Sequence, residues 1–561
     1  MNIAFLGAAE QVTGSCYLLK IGEYKILIDC GMKQGSDVKD GQGFEFNPRE
    51  IDFVFLTHSH IDHSGLLPLL TKQGFNGKIF LTAASAELCK IMLADSAYIQ
   101  EMEAEWNNRK RKRAGVNQIE PLYTIADAEK TLTYFELCDY DKIYNINNNV
   151  DLRFIDAGHL LGSASLEIWL KEKNEQRKLV FSGDLGNINR PIIQDPTKIK
   201  GADYVICEST YGDREHEKDA NAMLELAEII QKTLGRGGNL VIPAFAVGRT
   251  QELLYMIREI KNKKMVKGLG SFPVYLDSPL AIEATKIYAA STKYFDDEAM
   301  ELVRQGINPI TFDDLVLSVT AEESKQINLI DGGKVIIAAS GMCDAGRIRH
   351  HLKHNLWRKD STILFVGYQA NGTLGRIILE GIPSVKIMGE EIIVSAEIKK
   401  LAGFSGHADR KGLIEWLDYF EPLPNCVFLV HGEQKVIVEF KNTLEQDLGL
   451  NILVPQLNSE FDLIGYRWLN IGEKRIEKSF RTDKFDQINL AEKFARLEKA
   501  KGLEESANKL GKITNVDAYF RLLANSAKLS KLIVEKEHSS PRELEDLADQ
   551  LAMLVEKWDK R

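Results

Sequence analysis

Three of the chain's 11 histidines fall within six residues, His58-Ser59-His60-Ile61-Asp62-His63, directly after the mostly apolar run 51–56. No other feature limits the fold as tightly. Three imidazoles and a carboxylate this close are costly to bury without a cation, so the segment belongs where a buried strand empties into a loop. Along extended backbone, residues two apart point the same way, which aims His58 and His60 at one metal. Asp62 and His63 fall where the chain turns into the helix beginning SGLLPLL, and they face a second metal. Two metals need a ligand between them. Asp184, in LVFSGDLGN, ends an apolar strand and has two carboxylate oxygens for a bridge. His159, in DAGHLLGS, ends another and offers the first metal a third imidazole; Asp29, in ILIDCG, is placed similarly. A single strand-end acid is as readily a turn or cap residue. Together, all following β runs, they read as one site at one edge of a sandwich.

Nitrogen and carboxylate donors without thiolate suit zinc. The seven cysteines form no C-x-x-C pair, so they signal neither a disulfide framework nor a thiolate site, and they point to a reducing cytoplasm. At 561 residues, three to four domain-sized units are expected. With 44% hydrophobic and 27% charged residues, disorder and collagen-like repeats are excluded. No apolar stretch reaches the roughly 18 to 20 residues of a membrane span. The start MNIAFLGAAE has no basic flank and reads as a buried strand rather than a secretory signal. From ADYVICEST onward the rhythm changes. NLVIPAFAVGRTQELL, FPVYLDSPLAIEA, KVIIAASGMCDAGRIRHHL and TILFVGYQ are continuous apolar strands, most feeding a turn and then a helix. That pattern predicts a second α/β unit over about 209–390, a mostly parallel sheet covered on both faces.

The H-S-H-I-D-H segment with its later single His and Asp motifs resembles the metallo-β-lactamase superfamily. ESTYGDREH at 208–216, FSGHADR at 404–410 and LVHGEQ at 429–434 narrow the likeness to its β-CASP nucleases, over roughly residues 1–468. The resemblance implies an α/β fold: a metallo-β-lactamase αββα sandwich, an inserted α/β β-CASP cap domain and a helical C-terminal extension. The implied boundaries are 1–208 and 391–468 for the sandwich, 209–390 for the cap and 469–561 for the extension. It implies two Zn²⁺ ions. His58, His60 and His159 would hold one; Asp62, His63 and His431 would hold the other; Asp184 would bridge them, with Asp29 behind the ligands. Glu208 and His407 match the family's acid pair, and a histidine at position 431 goes with RNA rather than DNA cleavage. The chemistry stands without the name. Paired cations lower the pKa of a bridging water and clamp phosphate oxygens for in-line attack. His407, held by the Glu208 carboxylate, is suited to protonate the departing oxygen. The expected activity is hydrolysis of RNA, internally or from the 5′ end, leaving 5′-phosphate and 3′-hydroxyl ends. A DNA nuclease and a small-molecule hydrolase are the rivals.

RNA is also the expected partner of weaker features, although a net charge of −10 means that local patches must do the binding. Ser340, Gly341, Met342, Gly346 and Arg347 lie in a Gly-rich turn feeding a helix, a geometry that presents N–H groups to phosphate. FAVGRTQE reads either as a helix start with Arg249 near its N-terminus or as a second RNA contact. Arg109, Arg111 and Arg113 belong to the densest basic run, RKRKR, which is a solvated face or an RNA contact. His350 and His354 sit four apart on a helix with no acidic partner beside them; His216 reads as a loop histidine. The apolar stripe Leu544, Leu547, Leu551 and Leu554 suits packing on the chain's own body or on a second subunit, as in a homodimer.

Overall fold

The structure is a computed structural model that describes residues 1–34, 43–216, 222–367, 369, 372–401 and 405–472. The stripe at 544–554 and nearly all of the expected helical extension lie outside the described residues.

Two sheets face each other. One runs, in spatial order, Arg467–Asn470, Ser459–Asp462, Asn2–Phe5, Tyr17–Ile21, Tyr24–Ile28, Phe53–Phe55, Lys78–Thr82 and Phe135–Cys138. The other runs Ile452–Leu453, Cys426–Val430, Tyr204–Glu208, Glu175–Phe181, Ala164–Glu172, Val150–Asp156 and Ile143–Asn147. Alternation along the strands supplies the inner layer: Val150, Leu152 and Phe154 from one strand and Leu166, Ile168 and Leu170 from the next are all buried there. Rings cross between the sheets, Phe5 to Phe428 at 5.1 Å and Tyr17 to Phe181 at 5.8 Å. Helices cover both outer faces. Leu67–Lys72 and the long Ala83–Arg113 pack on the first sheet, and Arg410–Leu417 and Gln434–Asp447 on the second. This is the αββα sandwich.

A third sheet is parallel throughout, in the order Leu315–Leu317, Val274–Leu276, Val335–Ala338, Leu240–Pro243, Thr362–Phe365 and Glu397–Lys400. Its central strands VIIA, LVIP and TILF are buried along their whole length, because helices cover both faces. Pairing carries this sheet past residue 390, where the sequence reading ends the cap. Glu397–Lys400 is its outer strand beside Thr362–Phe365, and Lys399 and Lys400 give it the charged character that edge strands need. The insertion springs from one point. The chain leaves the sandwich after Tyr204–Glu208, and its next sandwich strand is Cys426–Val430, which pairs in parallel beside it, with Glu208 opposite Val430. Residues some 220 positions apart therefore meet at one strand end. Among the described residues, no helix is long and apolar enough to cross a membrane.

Candidate metal centre and acid pair

The sandwich strands end together at one rim, and there the ligating atoms of His58, His60, His159 and Asp184 lie within 4.8 Å of one another. Those of Asp62, His63 and His431 form a second such group, and those of Asp184, Glu208 and His407 a third. Asp184 stands between them. Its Oδ2 is 3.4 Å from His58 Nε2 and 3.6 Å from His159 Nε2, while its Oδ1 is 3.2 Å from His63 Nε2. Asp62 Oδ2 lies 3.5 Å from His431 Nε2.

Outside the cluster, a second row of groups orients the rings. His63 Nδ1 is 2.7 Å from Asp29 Oδ2, and His159 Nδ1 is 3.2 Å from the Gly406 carbonyl. His58 Nδ1 meets Thr57 Oγ1 at 3.0 Å, and His431 Nδ1 meets Thr210 Oγ1 at 3.1 Å. Each of these four imidazoles thus spends Nδ1 outward and turns Nε2 inward, the arrangement that supporting hydrogen bonds impose on metal-binding histidines. His431 sits at φ 48°, a left-handed conformation that a histidine adopts at a cost. Its N–H donation to the Ala8 carbonyl at 2.8 Å holds it there.

The inward atoms want a cation. His431 Nε2 and Asp184 Oδ1 are buried without a hydrogen-bond partner. Burial, together with neighbouring imidazoles, drives His58 and His159 below the ordinary histidine value and pushes His60 down to about 3, so all three are neutral and able to ligate. Burial works the other way on His63 and is outweighed: Asp184, Asp29 and Asp62 hold its imidazole well above the usual range. Positive charge is favoured at that spot. Nitrogen and carboxylate donors converging on two points, with no thiolate, fit Zn²⁺.

Asp29 takes the Thr57 amide at 2.8 Å, the Thr57 hydroxyl at 2.9 Å and the His63 ring. Asp29→Ala removes this support, and metal affinity should fall about 10- to 100-fold with the fold intact. Competition against a chelator, with circular dichroism as the control, reads both quantities.

His407 is more open than the five buried ligand candidates His58, His63, His159, Asp184 and His431. Its side chain is 21% exposed, against 0% for His58 and 4% for His159 and His431. Its Nδ1 lies 3.1 Å and 3.2 Å from the two Glu208 oxygens, and its Nε2 faces Asp184 Oδ2 at 3.9 Å. Glu208 is itself fixed by the Leu185 amide at 2.7 Å. Burial disfavours the charged ring, yet the Glu208 and Asp184 carboxylates overcome it and hold the imidazole at about 9. The arrangement can attack a bond at the cluster and deliver a proton beside it.

The expected RNA contacts are distributed differently. Arg249 opens the helix Arg249–Asn262, pairs with Glu252 and brings its guanidinium against Gly406. A Cβ at position 406 would displace this guanidinium and would stand 3.3 Å from His159 Cε1, so a side chain there would force both neighbours to shift. Arg347 turns into the cap, where it donates to Asp277 Oδ1 at 2.7 Å and to the Ser318 and Val319 carbonyls. Ser340, Gly341, Met342 and Gly346 form the turn before helix Ile348–Asn355, with Gly346 at φ 75°. Arg109 pairs with Glu105 and Arg111 with the Asn117 carbonyl. Their helix starts at the site, where Thr82 and Ser85 donate to the Gly162 carbonyl. At about 1.5 Å per residue the arginines lie roughly 40 Å along the axis from it. Sequence reasoning missed Thr57, Thr210 and Gly406, which carry no signal of their own. It also missed His351, the buried member of the RIRHHLKHN helix, which binds Asp277 at 2.6 Å between the solvated His350 and His354.

Family comparisons agree with this geometry. The metallo-beta-lactamase superfamily matches residues 9–88, the Beta-Casp domain residues 250–378, and the Zn-dependent metallo-hydrolase RNA specificity domain residues 391–455. The ribonuclease TTHA0252 of Thermus thermophilus is 38% identical over 439 residues, 78% of this chain and 94% of its own length. The transcription termination factors FttA of Methanosarcina mazei and Methanocaldococcus jannaschii are 32% and 30% identical, covering 80% and 81% of this chain and 70% of their own lengths. Sandwich, inserted cap, clustered metal donors and likeness over 78% of the chain converge: the chain belongs to the β-CASP family of metallo-β-lactamase-fold ribonucleases.

Proposed function

We propose that this chain hydrolyses RNA phosphodiester bonds with two Zn²⁺ ions, internally, from the 5′ end or both, and leaves 5′-phosphate and 3′-hydroxyl ends. The observation that carries the reading is the Glu208–His407 pair, with His407 Nε2 3.9 Å from Asp184, whose two carboxylate oxygens lie 3.4 Å from His58 and 3.2 Å from His63. His58, His60 and His159 would hold one ion; Asp62, His63 and His431 the other; Asp184 both. Bound there, the ions lower the pKa of water and neutralise charge on the phosphate. The protein supplies the rest. Asp62, the most open carboxylate of the cluster at 19% exposure, faces the mouth and orients the attacking water by accepting its hydrogen bond. His407, with Nδ1 committed to Glu208, delivers the Nε2 proton to the departing O3′. Glu208 keeps that ring in one orientation, as a carboxylate behind a catalytic histidine does.

RNA as substrate is supported by the RNA specificity domain match at 391–455 and by the ribonuclease relative. Arg249, at the join of cap and sandwich, and the 340–347 turn would meet the RNA backbone. The cytoplasm suits seven unpaired, buried thiols, several of which burial pushes up to about 12. The test is digestion of end-labelled RNA carrying a 5′-phosphate or a 5′-hydroxyl, beside DNA of the same sequence and a chromogenic lactam. Expected are RNA cleavage, 5′-phosphate products, two zinc ions per chain and loss of activity on chelation. Cyclic phosphate ends, a preference for DNA or lactam, or hydrolysis indifferent to metal stripping overturns the reading.

A further inference from the structure

We propose that His216 is a positioning residue for His407, a role that rests on the acid function assigned above. The His216 ring Nε2 is 3.0 Å from the His407 carbonyl. A carbonyl only accepts, so Nε2 carries the proton and donates it. The His216 backbone N–H donates to Asp409 Oδ2 at 2.9 Å, and Asp409 Oδ1 accepts from the Gly412 amide, capping helix Arg410–Leu417. The Arg410 amide donates to the Arg214 carbonyl at 2.9 Å. One loop, 214–216, thereby grips the C-terminal side of His407: the peptide carbonyl just after its side chain and the helix cap two residues on.

The other flank of the same segment is held by the 185–187 stretch. Ala408 N–H donates to the Leu185 carbonyl at 2.8 Å and Asn187 N–H to the Gly406 carbonyl at 3.2 Å. Within this clamp His216 is the side chain that donates to the backbone of His407 itself. Its ring packs edge-on against Tyr211 with centroids 4.8 Å apart, which sets its direction. Glu208 and His216 belong to one continuous stretch, so the same nine residues orient the imidazole through Nδ1 and its backbone through the carbonyl. An acid must be placed to within a fraction of an ångström of the leaving oxygen, and a misplacement of about 1 Å costs about 100-fold.

Two variants test this. His216→Leu keeps bulk without a donor; His216→Gln keeps an N–H at similar reach. With labelled RNA, the leucine variant is expected to lose about 10- to 100-fold in kcat with KM within about twofold and zinc content unchanged, and the glutamine variant to recover to within about threefold of wild type. On bis(p-nitrophenyl) phosphate, whose leaving group needs no proton, the leucine variant should match wild type. In a His407→Ala background His216→Leu should cost nothing more. Hydrogen exchange of the peptide spanning 405–413 reads the clamp independently of any substrate, and should accelerate in the leucine variant only. Unchanged exchange, an equal loss on both substrates, or an additive loss with His407→Ala overturns the role of His216. Wild-type protein that leaves RNA intact sinks the proposed function instead, and the exchange measurement still decides the clamp.

Discussion

His407→Ala should retain two zinc ions per chain while kcat on RNA falls by about 10² to 10⁴, the usual contribution of a positioned general acid. The competing assignment is real, because Asp184, Glu208 and His407 converge closely enough to hold a metal themselves. Exposure favours the acid: the His407 side chain is 21% exposed, against 0% for His58, 3% for His63 and 4% for His159 and His431. A ligand removed from a buried site empties it, whereas an acid removed from the mouth does not. Metal analysis of the purified variant therefore separates them. A zinc content reduced by half or more would place His407 among the ligands and leave the leaving-group proton without a donor. Glu208→Gln should follow His407→Ala in direction with a smaller loss, because the amide still orients the ring and removes only the charge.

The second large effect lies in the cap. Asp277, with no exposed surface, accepts from His351 Nε2 at 2.6 Å, from Ser324 Oγ at 2.5 Å and from Arg347 Nη1 at 2.7 Å. Asp277→Ala should destabilise the protein by about 3–5 kcal/mol, the cost of breaking a buried pair from one side. Asp277→Asn keeps the volume and should cost about 1–3 kcal/mol. Denaturant unfolding of the full chain measures both, and a loss below about 1 kcal/mol for alanine would show that the network contributes nothing net. The pH dependence has a defined sign. Burial opposes ionisation of Asp277, but its three donors prevail and hold the carboxyl at about 2, below the 3.8 of a free aspartate. A carboxyl depressed in the folded state contributes stability that is complete above about pH 4 and is lost as the pH falls towards 2. Wild type should lose stability across that window more steeply than Asp277→Asn.

The same network shows why pattern alone could not place the Arg347 guanidinium. A Gly-rich turn followed by an arginine and a helix looks the same whether the guanidinium faces a phosphate or a buried carboxylate. Asp277 lies 70 residues away in the sequence, and only the parallel pairing of Val274–Leu276 with Val335–Ala338 brings the two together. His351 shows the complementary difficulty. Between His350 and His354 it carries no distinguishing mark, yet it is the one aimed inward because the helix Ile348–Asn355 buries Ile348, His351, Leu352 and Asn355 on one side. The basic run at 109–113 was legible as a charge cluster, and its distance from the centre was not. That distance depends on the uninterrupted length of helix Ala83–Arg113.

What the linear order of residues determined by itself is the part of the site governed by local geometry. Two-residue spacing in extended backbone aims His58 and His60 the same way, the turn after them separates Asp62 and His63, and an acidic residue at the end of an apolar strand marks Asp29 and Asp184. Continuous apolar strands likewise announce a doubly covered parallel sheet. Long-range closure was decided in three dimensions alone: that Cys426–Val430 returns beside Tyr204–Glu208, so that His431 and His407 complete a centre begun at residue 58. Hydrogen bonding between strands is indifferent to the length of chain that separates them, which is why spacing along the polypeptide reports the first kind of neighbour and is silent about the second.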